Sequence, residues 1–487
     1  TSSTKFIATA VLALCMIVFF TGGVAGEVWA GDKNNKNTSG SNRTGIFNAR
    51  TATLDNGMQV VFIPNHRAPI ATHMVWIKAG AVDEPQGIAG LAHFLEHLMF
   101  KGTKETEPGE FSRTVKSYGA NHNAFTSKDY TAYFETVATK YLDEVMRLNA
   151  DRLQNLAPPE EEVNSERLVV LEERRQRVDN KPKAQFREHL IASYYLTHPY
   201  ARPVIGWMKE LKRISWANAR DFYNTYYVPN NMILVVTGDL EFEEVVAKAE
   251  DHYGKLQPKK LPDPPAPVLP DLVGAKTLTF SGPSIQQNQF IKLFTAPSYL
   301  ENKTDSLALQ VLEEMIDGRP TTYLHDEIVV NQKLASSISV YYSDIARYQT
   351  EIIISGNPNE GVSPEDLDMA VHKAFQNLAE NGLDQNRFEQ AKDRLIAEAV
   401  YARDSLSGPA MILGRALSSG VKLEDIEQWD KQIASVELND VERVFSRYLV
   451  DPDRMPATGY LKAMTEKGMQ KGAKPDDDDK RTGQNEQ

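Results

Sequence analysis

The alternation of apolar and polar positions divides the chain into two stretches of similar texture on either side of a proline-rich segment. From Ala52 onward, apolar and β-branched residues alternate. This predicts strands over 58–63 and 73–79, the first preceded by an Asp55-Asn56-Gly57 turn. A loop over 80–90 leads into the run AHFLEHLMF at 92–100, whose spacing is helical. A helix over 108–118, strands over 121–126 and 131–137, and helices over 141–153 and 158–178 follow. The last of these carries its two prolines at the N-terminal positions where a missing N–H costs nothing. A further helix closes over 225–229, and 232–238 reads as a buried strand.

Residues 255–270 hold too many prolines for a regular element and read as a stiff linker, 255–272 with its flank. The texture then repeats: a strand from Lys276, a long helix over 303–317, strands over 335–342 and 350–356, and helices between 364 and 449. The ends of the two stretches also resemble each other. FYNTYYVPNNMILVVTG at 222–238 and FSRYLVDPDRMPATG at 445–459 each show a helix end, a Pro, a Met three residues on and a closing Thr-Gly. The expectation is an α+β protein of two homologous domains, 46–254 and 273–464, each an antiparallel-rich sheet packed by helices.

Composition narrows the function. A chain of 487 residues with 41% hydrophobic content can bury more than one core, and a net charge of −12 lacks the basic face a nucleic-acid binder needs. Lys5, the apolar run 6–20 and the small residues up to Gly31 read as a signal peptide over 1–30. A polar leader over 31–45 follows, and a polar, acidic, disordered tail spans 465–487. Export to the periplasm or outside the cell follows; an uncleaved signal would instead leave a membrane anchor. The one cysteine, Cys15, lies inside the signal, so the mature chain has no disulfide and no thiol nucleophile, and a metal must rest on histidine and carboxylate.

The candidate chemistry sits in AHFLEHLMF. His93 and His97, at i and i+4, share one helical face, which suits two imidazoles converging on one ion. Glu96 lies between them, placed to handle the proton of a metal-activated water. The order is H-x-x-E-H. A catalytic zinc needs a third protein ligand. The glutamate-rich helix over 160–177 offers Glu166 and Glu173, seven residues or two turns apart on one face, while Glu172 points elsewhere. Spacing does not choose between the two, and composition alone favours a solvated surface of Glu/Arg pairs. His198, in the HPY segment, reads as a structural loop histidine.

Six blocks in order carry a family resemblance: AGA at 79–81, GLAHFLEHLMFKGT at 90–103, NAFTSKDYTAYFETV at 123–137, ERLVVLEERR at 166–175, HPYARPVIG at 198–206 and YYVPNNMILVVTGD at 226–239. Together they resemble the inverzincin peptidases typified by pitrilysin, insulin-degrading enzyme and mitochondrial processing peptidase. The resemblance implies one Zn2+ per chain on His93, His97 and Glu173, with Glu166 supporting from behind and Glu96 as general base. It also implies that a peptide substrate adds as a strand at Asn123, Ala124 and Phe125, with Phe125 helping to form a side-chain pocket.

One departure stands out. Active members place an Arg and a Tyr, seven residues apart, in the C-terminal half to hold the substrate carbonyl. Here Val329 and Ser336 occupy those positions, Arg319 and Tyr323 are wrongly spaced, and Tyr341 and Tyr342 come too late. The resemblance therefore implies half of a composite site, completed by a homologous subunit that brings the Arg/Tyr pair. The function expected is an exported zinc endopeptidase subunit; the alternative is a non-catalytic peptide-binding or assembly subunit.

Overall fold

Two sheets organise the chain. The computed structural model describes residues 45–464 apart from 265, 268 and 270–273, so Cys15 and the signal, leader and tail readings lie outside the described residues, save for residue 45. The first sheet comprises β1 (Arg50–Thr53), β2 (Gln59–Pro64), β3 (Ile70–Ile77), β4 (Asn121–Thr126), β5 (Thr131–Ala138) and β6 (Met232–Gly238), in the order β1-β2-β6-β3-β5-β4. The second comprises β7 (Lys276–Gly282), β8 (Gln289–Ala296), β9 (Ala335–Tyr342), β10 (Thr350–Pro358) and β11 (Ala457–Ala463), in the order β7-β11-β8-β10-β9.

Each sheet has one parallel pair, β2/β6 and β7/β11, and is otherwise antiparallel. Leaving β1 aside, the two orders are the same, with the last strand of each half inserted beside the first. This is a two-domain α+β fold built on one repeated topology. The repeated sequence ends lie at equivalent elements but not at equivalent residues. Thr237-Gly238 closes β6, whereas Thr458-Gly459 is the second and third residue of β11.

The longer helices of the first half are α1 (Leu91–Leu98), α2 (Glu110–Ser117), α3 (Leu142–Asn155), α4 (Glu160–Arg174), α5 (Pro182–Tyr195), α6 (Trp216–Tyr226) and α7 (Phe242–Tyr253). In the second half they are α8 (Lys303–Ile316), α9 (Pro364–Asn381), α10 (Gln385–Ala402), α11 (Gly408–Ser419) and α12 (Leu438–Phe445).

The period of two along each strand sorts side chains between the faces of the first sheet. Val60, Phe62, Val75, Ile77, Leu234 and Val236 pack against the apolar faces of α1, α3, α6 and α7. Val61, Ile63, Met74, Trp76, Ile233 and Val235 point the other way, into a core continuous with the second half. What covers them there is α11. Gly414 lies flat on the Trp76 indole, where a Cβ would come within 2.0 Å of the ring. The second sheet is covered reciprocally by α5. Phe186 and Leu190 meet Gly459 of β11, and a Cβ at Gly459 would fall 2.5 Å from Phe186. Each half thus lends a helix to the other's sheet.

A polar seam fixes the halves further. Arg347, between β9 and β10, donates to both oxygens of Asp83 at 3.0 and 3.1 Å, and its backbone N–H reaches Asp129 at 3.1 Å. Tyr200 donates to the same Asp129 carboxylate at 2.7 Å. His198 accepts the Tyr200 N–H at 3.1 Å and is buried among Tyr195, Tyr200 and Tyr348.

Several elements differ from the periodicity reading, which places no element over β1, β8, α5 or α7 and closes α6 at 225–229 rather than at Tyr226. β3 begins at Ile70 rather than 73, because residues 70–72 pair with 136–138 of β5. The helix expected to run to 178 is α-helical only to Arg174 and widens into a π turn over Arg175–Asp179. Arg174 is the anchor at that junction. Its buried guanidinium bonds both oxygens of Glu188 at 2.8 Å and the Gly206 carbonyl at 2.6 Å.

Candidate metal centre

The helix that carries the motif starts where it does for two reasons. Gly90 precedes it at φ 93°, and a Cβ there would lie 2.8 Å from Gly206 and the Ile205 carbonyl, so the position requires glycine. The first turn is then capped from a distance. Buried Glu84 accepts the Gly90 N–H at 3.0 Å and the Ala92 N–H at 2.9 Å, filling the role that an N-cap side chain usually plays. Burial pushes the Glu84 carboxyl up to about 8, against the pull of those N–H groups and of Arg202.

Within α1, His93 and His97 lie one turn apart, ring centroids 4.7 Å from each other and planes at 75°. The α4 helix packs against α1 and supplies the opposing carboxylates. Glu173 Oε2 approaches His93 Nε2 at 3.7 Å and His97 Nε2 at 3.5 Å. Ligand atoms of His93, His97 and Glu173 all lie within 4.8 Å of one another, a set of donors of the kind that holds a zinc ion. Glu166 sits elsewhere. Its Oε1 bonds His97 Nδ1 at 2.8 Å and its Oε2 is paired with Lys101, so it faces the back of the imidazole. The choice that spacing left open between Glu166 and Glu173 is thus separated in space: one behind His97, the other in front.

The donor set fits a metal ion on its own geometry. Glu173 Oε2 is buried and has no hydrogen-bond partner among the described residues, although two imidazole nitrogens flank it. Its second oxygen, Oε1, takes Arg177 at 2.7 Å. Burial disfavours the Glu173 anion, but the close approach of His97 at 3.5 Å and the charges of His93 and Arg177 outweigh it and hold the carboxyl at about 2. Burial opposes charge on His97 too, yet its bond to Glu166 and the nearby Glu173 carboxylate win and push it up to about 9. His93 goes the other way, held at about 3 by burial and the neighbouring His97.

Glu96 is buried beside the pair. Burial lifts its carboxyl to about 7, despite a hydrogen bond from Thr126 Oγ1 to Oε2 at 2.6 Å. Oε1 makes no hydrogen bond among the described residues, so a carboxyl with a near-neutral pKa and one oxygen not so engaged stands next to the donor set.

The strand next to this centre is β4, at the edge of the first sheet. Its alternation splits the expected substrate strand. Ala124 and Thr126 face the α1 side, with Ala124 packed against that core. Phe125 faces the opposite side, edge-on to Trp76 at 5.4 Å and beside Tyr130 and Phe134, and Asn123, two residues earlier on the strand, shares that face. Thr126 and Glu84 are the participants that motif reasoning missed. Thr126 could have been found by stepping two residues along the strand from Ala124; Glu84 carries no local signal. The positions expected for Arg and Tyr are otherwise occupied. Val329 packs against the second-half core and Ser336 donates to the Asn357 carbonyl at 3.2 Å. Arg319 pairs with Glu314, Asp317 and Glu398, and Tyr323 donates to the Ala374 carbonyl.

An H-x-x-E-H helix beside an edge strand, opposed by a glutamate from the next long helix and set on a duplicated α+β scaffold, defines a metallopeptidase-type domain. Residues 59–207 match the family described as Insulinase (Peptidase family M16), and residues 213–395 match the Peptidase M16 inactive domain, so the chain belongs to peptidase family M16. A relative named zinc protease PqqE, from Helicobacter pylori, is 29% identical over 419 residues, covering 85% of this chain and 92% of the relative. A probable mitochondrial-processing peptidase subunit beta from Arabidopsis thaliana is 26% identical, covering 83% of this chain and 77% of its own length. The crystal structure of a protease from Helicobacter pylori superposes with a TM-score of 0.79 at 27% identity, covering 85% of this chain and 99% of that one.

Proposed function

We propose that this chain is the zinc-binding subunit of an exported endopeptidase that hydrolyses peptides or unfolded segments. The observation that carries the reading is the convergence of His93, His97 and Glu173 with the free oxygen of Glu96 beside them. One zinc ion per chain would be held by those three side chains. When bound it supplies Lewis acidity, acidifying water and polarising a carbonyl. Glu96 Oε1 takes the proton of the attacking water and returns it to the leaving amine, while Thr126 holds Oε2 in place. Glu166 fixes the His97 tautomer through Nδ1, so that Nε2 faces the centre. The substrate backbone adds to the outer edge of β4. Its side chains alternate between the Ala124 face and the Phe125 face, where Phe125 and Phe134 form an aromatic floor backed by buried Trp76.

The partner proposed is a homologous subunit bringing the Arg/Tyr pair, since Val329 and Ser336 cannot hold a substrate carbonyl by charge or phenol. The relative whose name makes it a subunit beta supports a paired assembly. Among the described residues no helix is long and apolar enough to cross a membrane. The place proposed is the periplasm or outside the cell, with a membrane anchor if the signal stays attached.

The test is peptide cleavage with and without chelator, by the chain alone and with whatever co-purifies from its host. Absence of stoichiometric zinc, or a Glu96→Gln variant as active as wild type, sinks the peptidase reading. Full activity of the isolated chain, with no homologue ever co-purifying, sinks the partner. A second reading, a non-catalytic peptide-binding or assembly subunit, is favoured by Val329 and Ser336 and by the inactive-domain match of residues 213–395.

A further inference from the structure

We infer that Arg177 is a positioning residue that fixes Glu173 as a one-oxygen metal ligand. The inference rests on the metal reading above and concerns a side chain that neither the motif nor the resemblance marks.

The two oxygens of Glu173 have different surroundings. Oε1 is tied to the Arg177 guanidinium at 2.7 Å, while Oε2 has no hydrogen-bond partner among the described residues and faces the two Nε2 atoms at 3.5 and 3.7 Å. A carboxylate on a three-bond stem has rotamer freedom to lose, and an untied one can turn, chelate through both oxygens or swing away. Either movement spoils a site of three protein ligands with one position open. The tie from Arg177 removes that freedom before the ion arrives.

The backbone places Arg177 for this task. Glu173 is in the last α-helical turn, and Arg177 is four residues on, in the π turn Arg175–Asp179. Such turns occur often at functional sites. The turn is pinned at its start by Arg174, through Glu188 and the Gly206 carbonyl, and at its end by the ion pair of Arg174 with Asp179 at 3.3 Å. The register between Glu173 and Arg177 is therefore set by a buried anchor, not by a freely turning helix end.

Two effects of Arg177 oppose each other. Its positive charge repels a divalent ion, which weakens binding; its hold on Oε1 organises the ligand, which strengthens it. The Arg177 side chain is 48% exposed, so water and salt screen the repulsion. The organising effect acts through a direct contact and is not screened in the same way. Outer partners of metal ligands typically contribute about 10–100-fold in affinity. Organisation wins, and the sign of the Arg177→Met effect tests it.

The experiment is a zinc competition titration against a chelating dye, on the full chain, for wild type, Arg177→Met and Arg177→Lys. Cobalt(II) spectra of the same proteins report coordination number. Arg177→Met is expected to bind zinc about 10–100-fold more weakly, with a cobalt spectrum altered from wild type, and Arg177→Lys to recover most of the loss because an ammonium still reaches Oε1. A methionine variant that binds zinc as tightly as wild type, or more tightly, with an unchanged cobalt spectrum, overturns the role of Arg177 and leaves the metal reading standing. A wild-type chain that binds neither zinc nor cobalt overturns both.

Discussion

On the proposed role of Glu96 as the base, the hydroxyl of Thr126 tunes it, and replacing Thr126 with the near-isosteric valine measures by how much. Half-buried Thr126 Oγ1 donates to Oε2 of buried Glu96 at 2.6 Å, so the bond favours the Glu96 anion. A hydrogen bond to a charged group contributes about 1.5–3 kcal/mol, and about 1.4 kcal/mol corresponds to one pKa unit. Removing it therefore raises the Glu96 pKa by roughly 1–2 units. The sign follows directly: Glu96 works as a base only when ionised, so a higher pKa moves the acid limb of the pH–rate profile upward. Burial has already lifted the carboxyl to about 7, and a bound cation draws it down again in wild type and variant alike, so the difference between the two limbs is the quantity to read. The assay is kcat/KM against pH on zinc-loaded protein for wild type, Thr126→Val and Thr126→Ser. The valine limb should move up by about 1–2 units with the high-pH plateau retained, and the serine limb should stay with wild type. A valine limb that does not move, or a loss of activity that is the same at every pH, refutes the assignment of Glu96 as the titrating base held by Thr126.

Zinc affinity should itself depend on pH. His97, pushed up to about 9 mainly against burial by Glu166 and Glu173, must lose its proton to ligate, so the association constant should rise about tenfold per pH unit as pH increases toward 9; chelator competition at several pH values checks this, and Glu166→Gln should flatten the slope. Glu84→Ala leaves the Gly90 and Ala92 N–H groups unpaired in a buried place, at about 1–3 kcal/mol each, so urea unfolding should show a clear loss of stability accompanied by weaker zinc binding as α1 loosens. Gly414→Ala drives a methyl into the Trp76 indole and should destabilise by about 1–3 kcal/mol or more; an alanine variant as stable as wild type in urea would mean that α11 and β3 are not in tight contact.

Much of the centre was legible because its chemistry is local. His93, Glu96 and His97 share one helical turn, and their mutual placement follows from helix geometry alone. Glu173 is different. Two glutamates on one face of α4 look alike in sequence, and only the packing of α4 across α1 puts Glu173 in front of His97 and Glu166 behind it. Resemblance implied Glu173 where spacing made no choice, and the packing brings Glu173, not Glu166, beside the two Nε2 atoms. Side-chain direction on β4 was hidden for a similar reason. A strand's alternation tells which residues share a face, but not which face meets the helix, so Thr126 went unnoticed and Phe125 lies on the side away from the histidines. The least legible feature was the exchange of α5 and α11. Both helices have ordinary apolar faces, and nothing in a periodic pattern says that the sheet they cover belongs to the other half.

That exchange decides what would happen if the chain were cut. The residues between Tyr253 and Lys276 are covalently a bridge, but α5 still lies on β11 and α11 still covers β3 and β6 whether or not the bridge is intact. A protease that nicks the exposed segment over 258–264 would leave two fragments that migrate as one particle under native conditions and separate only in denaturant. Neither half expressed alone would have a full set of covers for its sheet: the first would show Trp76 to water, and the second would show the face of β11 on which Phe186 lies. The unit of folding is therefore the pair of halves, and the proline-rich bridge is a matter of synthesis more than of cohesion.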